Sequence, residues 1–357
     1  DENSNASGDL DISCATCPNL QIIGCGDNIT TISGDNADRI FDIRSSANVT
    51  LMGMNISNGN PTSGLGGAIF LSDSDLALSS ITIENNLAQG KSGTDSDEGG
   101  GGGGAPGAGG GIYATNDARI YTGPGVTFNE NQARGGLGGN ATNFASFSGD
   151  ITSCTIPFQT CPELAFGGQG ANASAPSLSE GENPLINPPE DNFCGGHGGG
   201  SCYFNNIVSL RIIGTRGTFG GGGGGAGNCF DGNGYDGGPG SLRAGDGESS
   251  NGTSATNGDG GAGGAFGGAI FLDNSYIYWS TQEGSQATFS DNTIYLPGSQ
   301  EDQPQDESVF INGGGAIYEN LQEFDYLNNV NNHVKNNCTN EHGLDCNCGS
   351  GVCVDDD

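Results

Sequence analysis

Basic residues are scarce in this sequence. The 357 residues include 9 Lys and Arg against 42 Asp and Glu, for a formal net charge of −33. So acidic a surface excludes nucleic acid and anionic membrane as partners. It also leaves a polysaccharide lyase little with which to hold an acidic sugar. No apolar run is long enough to cross a bilayer, so no membrane span is expected. No window carries a helical stripe of apolar residues. No Gly-x-Ser-x-Gly, P-loop or dinucleotide fingerprint stands in a usable context. The chain starts at Asp1 rather than Met, which reads as a processed mature fragment.

What is present is repetition. One phrase occurs as Gly66-Gly67-Ala68-Ile69-Phe70, Gly110-Gly111-Ile112-Tyr113, Gly267-Gly268-Ala269-Ile270-Phe271 and Gly314-Gly315-Ala316-Ile317-Tyr318. A second phrase follows three of the four: Ile83-Glu84-Asn85-Asn86, Phe128-Asn129-Glu130-Asn131 and Phe289-Ser290-Asp291-Asn292, with a weak echo at His333-Val334-Lys335-Asn336. Between the two lie short alternating apolar segments, such as Ile69 and Leu71, Leu76 and Leu78, Ile81 and Ile83. Period-two alternation broken by Asn, Asp, Ser or Gly reads as short strands joined by tight turns.

Three such strands make one coil of a parallel β-helix, with coils stacked about 4.8 Å apart. The terminal Asn of each unit is expected to take a left-handed turn and to stack on its equivalent. Degenerate coils are read at 20–32, 40–58 and 203–219, the last from Val208, Leu210, Ile212 and Phe219. The fold class is therefore all-β, a right-handed parallel β-helix or solenoid of about seven coils.

Gly-Gly-Ala-Ile followed by Phe-x-x-Asn resembles the polymorphic outer membrane protein type repeat. The match covers Gly66 to Asn86, Gly110 to Asn131 and Gly267 to Asn292, while Gly314 lacks a clean Phe-x-x-Asn. The resemblance implies a right-handed, pectin-lyase-like β-helix and, among functions, adhesion.

Three regions are expected: a cap and first coil over 1–33, the helix with its insertions over 34–336, and a Cys-rich, weakly EGF-like segment over 337–357. Insertions are read at 88–109, 133–202, 220–264 and 294–312. Each leaves just after the end of a unit, so together they should form a lateral layer on one side. Two are very rich in glycine. They read either as flexible linkers or as extended, polyproline-like strands bonded side by side.

Twelve cysteines fall in local groups: Cys14, Cys17 and Cys25; Cys154 and Cys161; Cys194, Cys202 and Cys229; Cys338, Cys346, Cys348 and Cys353. Zinc needs matched Cys/His sets, and Cys14-x-x-Cys17 has no second pair, so disulfides in an oxidising compartment are expected. Sequons stand at Asn5, Asn28, Asn48, Asn55, Asn140, Asn172, Asn251 and Asn337. Occupancy is expected first at Asn28, Asn48 and Asn55. No cofactor is expected, although calcium fits the acidity. Asp231 and Asp236 in a Gly/Asp loop are its weak candidates.

An active site has thin support. Gly196-His197-Gly198 and Arg211-Ile212-Ile213 echo polygalacturonase motifs, but no Asn-Thr-Asp or preceding Asp-Asp pair accompanies them. His333 and His342 have no nucleophile motif. The sequence is read as a non-catalytic, extracellular glycoprotein that associates with copies of itself in a cell-surface filament or matrix. An adhesin using the insertion layer is the alternative, and a polysaccharide-degrading enzyme the second.

Overall fold

The computed structural model describes residues 8–13, 19–96, 99–141, 214, 216–217, 219–226, 235–251, 257–279, 286–296, 304–313 and 315–319. The regular structure there is strand throughout. The first tier holds β1 (Leu10–Ser13), β2 (Leu20–Ile23) and β3 (Thr31–Ser33). Next come β4 (Phe41–Arg44) and β5 (Asn48–Ser57), then β6 (Ile69–Ser72), β7 (Asp75–Glu84) and β8 (Leu87–Gln89). The following tier runs β9 (Gly107–Ala108), β10 (Ile112–Thr115), β11 (Arg119–Thr122), β12 (Val126–Asn129) and β13 (Gln132–Arg134). Then come β14 (Ala265–Phe266), β15 (Ile270–Asp273), β16 (Tyr276–Trp279), β17 (Thr288–Ser290) and β18 (Thr293–Tyr295). The last are β19 (Pro304–Asp306), β20 (Val309–Asn312) and β21 (Ala316–Glu319).

Strands of successive tiers pair in parallel. One sheet is ordered β1-β4-β6-β10-β15-β20. A second joins β2, β3, β5, β7, β11, β12, β16, β17 and β21. A third runs β19-β18-β13-β8, in which β18 and β19 are antiparallel, and β9 pairs with β14. The register is that of the repeated phrase: Ile69 faces Ile112, which faces Ile270. Alternation decides what is inside. Ile43, Leu71, Ala114 and Leu272 lie in one inward column, joined in the core by Leu51, Ile56, Leu78, Ile83, Ile120, Phe128 and Ile277.

Two expectations are corrected here. No coil from 203–219 stands between the second and third units, because β10 pairs directly with β15. Phe219 instead lies outside the sheet, its ring 5.0 Å from that of Phe266. The fourth Gly-Gly phrase also takes another place. Val309, not Ile317, lies opposite Ile270, and Ile317 pairs with Ile277 on the second sheet. Val309-Phe310-Ile311 offers the same alternation, and Phe310 stacks on Phe271 at 5.6 Å. Residues 294–312 thus contain strands of the ladders as well as a connection.

The terminal Asn of each unit stacks as expected, but one residue earlier takes the strain. Asn85, Glu130 and Asp291 hold φ values of 55°, 53° and 52°. That turn carries Asn86, Asn131 and Asn292 inward, where all three are buried. Asn86 Nδ2 donates to Asn131 Oδ1 at 2.9 Å, and Asn131 Nδ2 to Asn292 Oδ1 at 3.0 Å. Each amide also donates to a backbone carbonyl one tier back: Ile56, Ile83 or Phe128. The ladder satisfies polar groups that burial would otherwise penalise.

The described segments of the glycine-rich insertions bond to one another. Gly101, Gly104 and Gly107 donate to the carbonyls of Gly258, Gly261 and Gly264, while Gly102 and Ala105 donate to those of Thr94 and Lys91. Gly225 and Gly222 in turn donate to Gly101 and Gly104. Successive residues address different neighbours and the pattern returns every third residue, the period of polyproline II. Segments 90–96, 99–108, 134–140, 220–226, 235–241, 244–250 and 257–264 join in this way. Of the two readings of the glycine tracts, the bonded one holds for these segments.

Candidate assembly surfaces

Three features could carry function: the outer column of the first sheet, the charged cluster at its first strand, and the two ends of the ladders. The outer column runs Asp11, Asp42, Phe70, Tyr113, Phe271, Phe310, one residue per tier. Its rings stack nearly parallel: Phe70 on Tyr113 at 5.4 Å and Tyr113 on Phe271 at 5.2 Å. Leu65, Ala105, Ala108 and Phe266 pack over the buried part of this column, so it docks the glycine layer on the sheet. Burial, then the Asp273 carboxylate, pushes the Tyr113 hydroxyl well above its usual pKa, so it stays protonated. Arg243, at φ 59°, leaves the glycine layer to bond both carboxylate oxygens of Glu307 at 2.9 and 2.7 Å. Its guanidinium lies 4.7 Å from the centre of the Phe310 ring.

At the other end of the column, Asp9, Asp11 and Asp42 place carboxylate oxygens within 4.8 Å of one another. Two arginines share the space. Arg39 Nε stands 2.9 Å from Asp9 Oδ2, and Arg44 grips Asp42 through Nε and Nη2. Arg44 also lies 4.5 Å over the Phe70 ring. The geometry is that of an ion-pair network. The 2.9 Å approach of Arg39 to Asp9 lacks hydrogen-bond alignment, so its attraction is chiefly coulombic. Burial raises Asp9 to a pKa of about 6. Arg39 opposes the rise, and Asp38, Asp42 and Asp11 add to it.

The sign follows from linkage. The ionised form of Asp9 is disfavoured in the fold, so its penalty is complete above about pH 6. It fades as pH falls towards the unfolded value of 3.8. We expect amide exchange in β1 to slow between pH 7 and pH 5 after correction for intrinsic rates. Asp9→Asn should flatten that dependence. An unchanged pH profile in the variant would assign the effect to other carboxylates.

Among the described residues the ladders end in apolar side chains. At the first end Leu10 is 47% exposed, Leu20 39%, Ile23 45% and Ile29 57%. At the last end Ile311 is 39% exposed and Ile317 38%. Leu10 and Ile311 belong to inward columns whose interior members are fully buried. Among the described strands, β1 pairs only with β4, β20 only with β15, and β21 only with β16.

The residues singled out in the sequence fall as follows. Asn28 and Asn140 are exposed, as is Asn251. Asn48 and Asn55 are half-buried in β5, and Asn55 Nδ2 donates to Glu84 at 2.6 Å. Cys25 lies among the described residues, its backbone N–H donating to Thr30 Oγ1 at 2.9 Å. Asp236 is exposed and accepts from Ser249 Oγ at 3.4 Å. Asn5, Asn172, Asn337, the other eleven cysteines, Asp231, Arg211 and the three histidines lie outside the described residues. The Asp9–Arg39–Asp42–Arg44 network was not foreseen. The alternation of Asp42 and Arg44 about the inward Ile43 was its only signal. No helix among the described residues is long and apolar enough to cross a membrane. Comparison with protein families, curated proteins and solved structures found no match to this chain.

Proposed function

We propose that this chain is a non-catalytic structural glycoprotein of the cell surface, a subunit that assembles end to end into a filament or matrix. In this reading the parallel ladders are the faces of a right-handed β-helix of the kind that carries polymorphic outer membrane protein type repeats. Its coils continue from one subunit into the next. The observation that carries the reading is the state of the two ends. Among the described residues, the apolar columns that form the core stop at Leu10 and Leu20 on one side and at Ile311 and Ile317 on the other, with their terminal side chains more than a third exposed. Terminal strands of this kind template further pairing, and a contact between unlike ends does not close, so it propagates. The strong negative charge of the sides favours growth along the axis over lateral clumping. Disulfides and N-linked glycans are part of the proposal, as is calcium as an ion that could screen the acidic surface. Electron microscopy of native material, and of the purified chain at high concentration with calcium, tests it. Filaments with an axial repeat matching one subunit are expected, and isolated monomers under both conditions would defeat the reading.

A further inference from the structure

We propose that the subunit contact is a single continuation of both ladders, in which β20 of one copy pairs in parallel with β1 of the next and β21 with β2. This rests on the end-to-end reading above and adds its partner surface, polarity and register. The register is fixed by the molecule itself. Following the pairings from tier to tier, Leu10, Phe41, Ile69, Ile112, Ile270 and Val309 occupy one position. Leu20, Val49, Leu76, Ile120, Ile277 and Ile317 occupy another. One further tier therefore sets Val309 against Leu10, Ile311 against Ile12 and Asn312 against Ser13. On the second sheet it sets Ile317 against Leu20. Apolar meets apolar at each inward position, and polar meets polar at the strand end.

The outer column supplies the charge argument. Continuation places Phe310 of one copy beside Asp11 of the next, with Arg243 over the Phe310 ring at 4.7 Å. The molecule holds a related contact internally, with carboxylate and ring in the reverse order along the column. Asp42 neighbours Phe70 in the same column, and Arg44 lies 4.5 Å over that ring while gripping Asp42. The junction would likewise set an aromatic ring with an arginine over it beside a carboxylate, here with Arg243 already held by Glu307. Contact between two first ends would instead bring three carboxylates, Asp9, Asp11 and Asp42, against their own copies, with Arg39 and Arg44 already engaged by Asp9 and Asp42 within each copy, and it would not continue the parallel pairing of the ladders. The polarity is therefore head to tail. Because the same displacement along the ladders engages both sheets, one contact buries Leu10 and Leu20 together with Ile311 and Ile317.

The test uses the full glycosylated chain and two single-end variants, Leu10→Lys and Ile311→Lys, with Leu137→Lys in the glycine layer as a control. Each variant alone should lose the multimers seen with the unaltered chain, and the control should keep them. A 1:1 mixture of the two variants should sediment as a dimer, because one retains an intact last end and the other an intact first end. Multimers undiminished in both variants would overturn this contact and leave the filament reading standing. No multimers in the unaltered chain would remove the filament reading and the contact with it. Pairs within each variant alone, with no gain on mixing, would show contacts between like ends and refute the polarity. Should thermal melting show that either variant fails to fold, Leu20→Lys and Ile317→Lys replace the pair at the same ends on the second sheet.

Discussion

Gly101→Ala should destabilise the protein by about 3 kcal/mol or more, although it adds one methyl group. A Cβ at Gly101 would sit on the carbonyl oxygen of Gly139 and meet the backbone nitrogen of Gly260 on the other side. Neither can yield cheaply. Gly139 N–H donates to Gly102 at 2.7 Å, and Gly260 N–H donates to Gly139 at 2.9 Å, so both are tied to the clash they would have to relieve. The same crowding recurs through the layer. A Cβ at Gly104 would meet the Gly136 carbonyl, and one at Gly260 the Gly102 carbonyl. A glycine segment gives up about 1–2 kcal/mol of backbone entropy per residue on ordering, and it has no side chain to bury in return. Its order depends on close approach and on hydrogen bonds every third residue, and the methyl removes both locally. Gly245→Ala is the internal control, because there the nearest atom to a Cβ is the Ala262 nitrogen at 3.3 Å. Thermal melting should rank the two, with Gly101→Ala lowering Tm by about 5 °C or more and Gly245→Ala by much less. Equal melting of Gly101→Ala and the parent chain would mean that the segments do not lie this close.

The glycine layer also marks where the sequence stops being legible. Strand identity, parallel pairing and the inward columns could be read from the phrase around Ile69, Ile112 and Ile270, because alternation fixes the face of every residue once one is placed. Composition could not choose between linker and bonded segment for 99–108. The choice depends on whether other glycine tracts arrive alongside, at Gly139, Gly225 and Gly258, and those partners are remote in sequence. The fourth phrase misled for a related reason. Its glycines and Ile317 repeat the words of the unit, but register depends on the whole tier, and Val309-Phe310-Ile311 fits the position beside Ile270 with a ring for Phe271. Sequence placed the buried Asn ladder correctly. It missed the left-handed residue, since Asn85, Glu130 and Asp291 share no side-chain type. The ends were the least legible part. Leu10 and Ile311 look like any strand residue in the sequence, and only their place in the ladder makes them terminal.

Asn131→Leu should be the most damaging conservative-volume change in the core, at about 3–5 kcal/mol. Asn131 is fully buried and in the middle of the three-amide ladder. Its Oδ1 accepts from Asn86 Nδ2 at 2.9 Å and from the Asn86 backbone at 3.3 Å. Its Nδ2 donates to the Ile83 carbonyl at 2.8 Å and to Asn292 Oδ1 at 3.0 Å. Leucine keeps the volume and adds apolar surface, worth at most a few kcal/mol where the site can accept it. It also takes the acceptor from the Asn86 backbone N–H and Asn86 Nδ2 and leaves the Ile83 carbonyl and Asn292 Oδ1 each with one donor fewer. An unsatisfied buried group costs about 1–3 kcal/mol, and water has no route to replace the amide in a position without exposure. The end members should matter less. Asn292 is held on one side only by the ladder and also donates to Phe128, so Asn292→Leu removes fewer bonds. Chemical denaturation of the two variants gives the comparison, with Asn131→Leu the larger loss. Equal losses would mean that the amides act as separate turn fixings and not as a coupled ladder, and that the tiers hold together through their apolar columns alone.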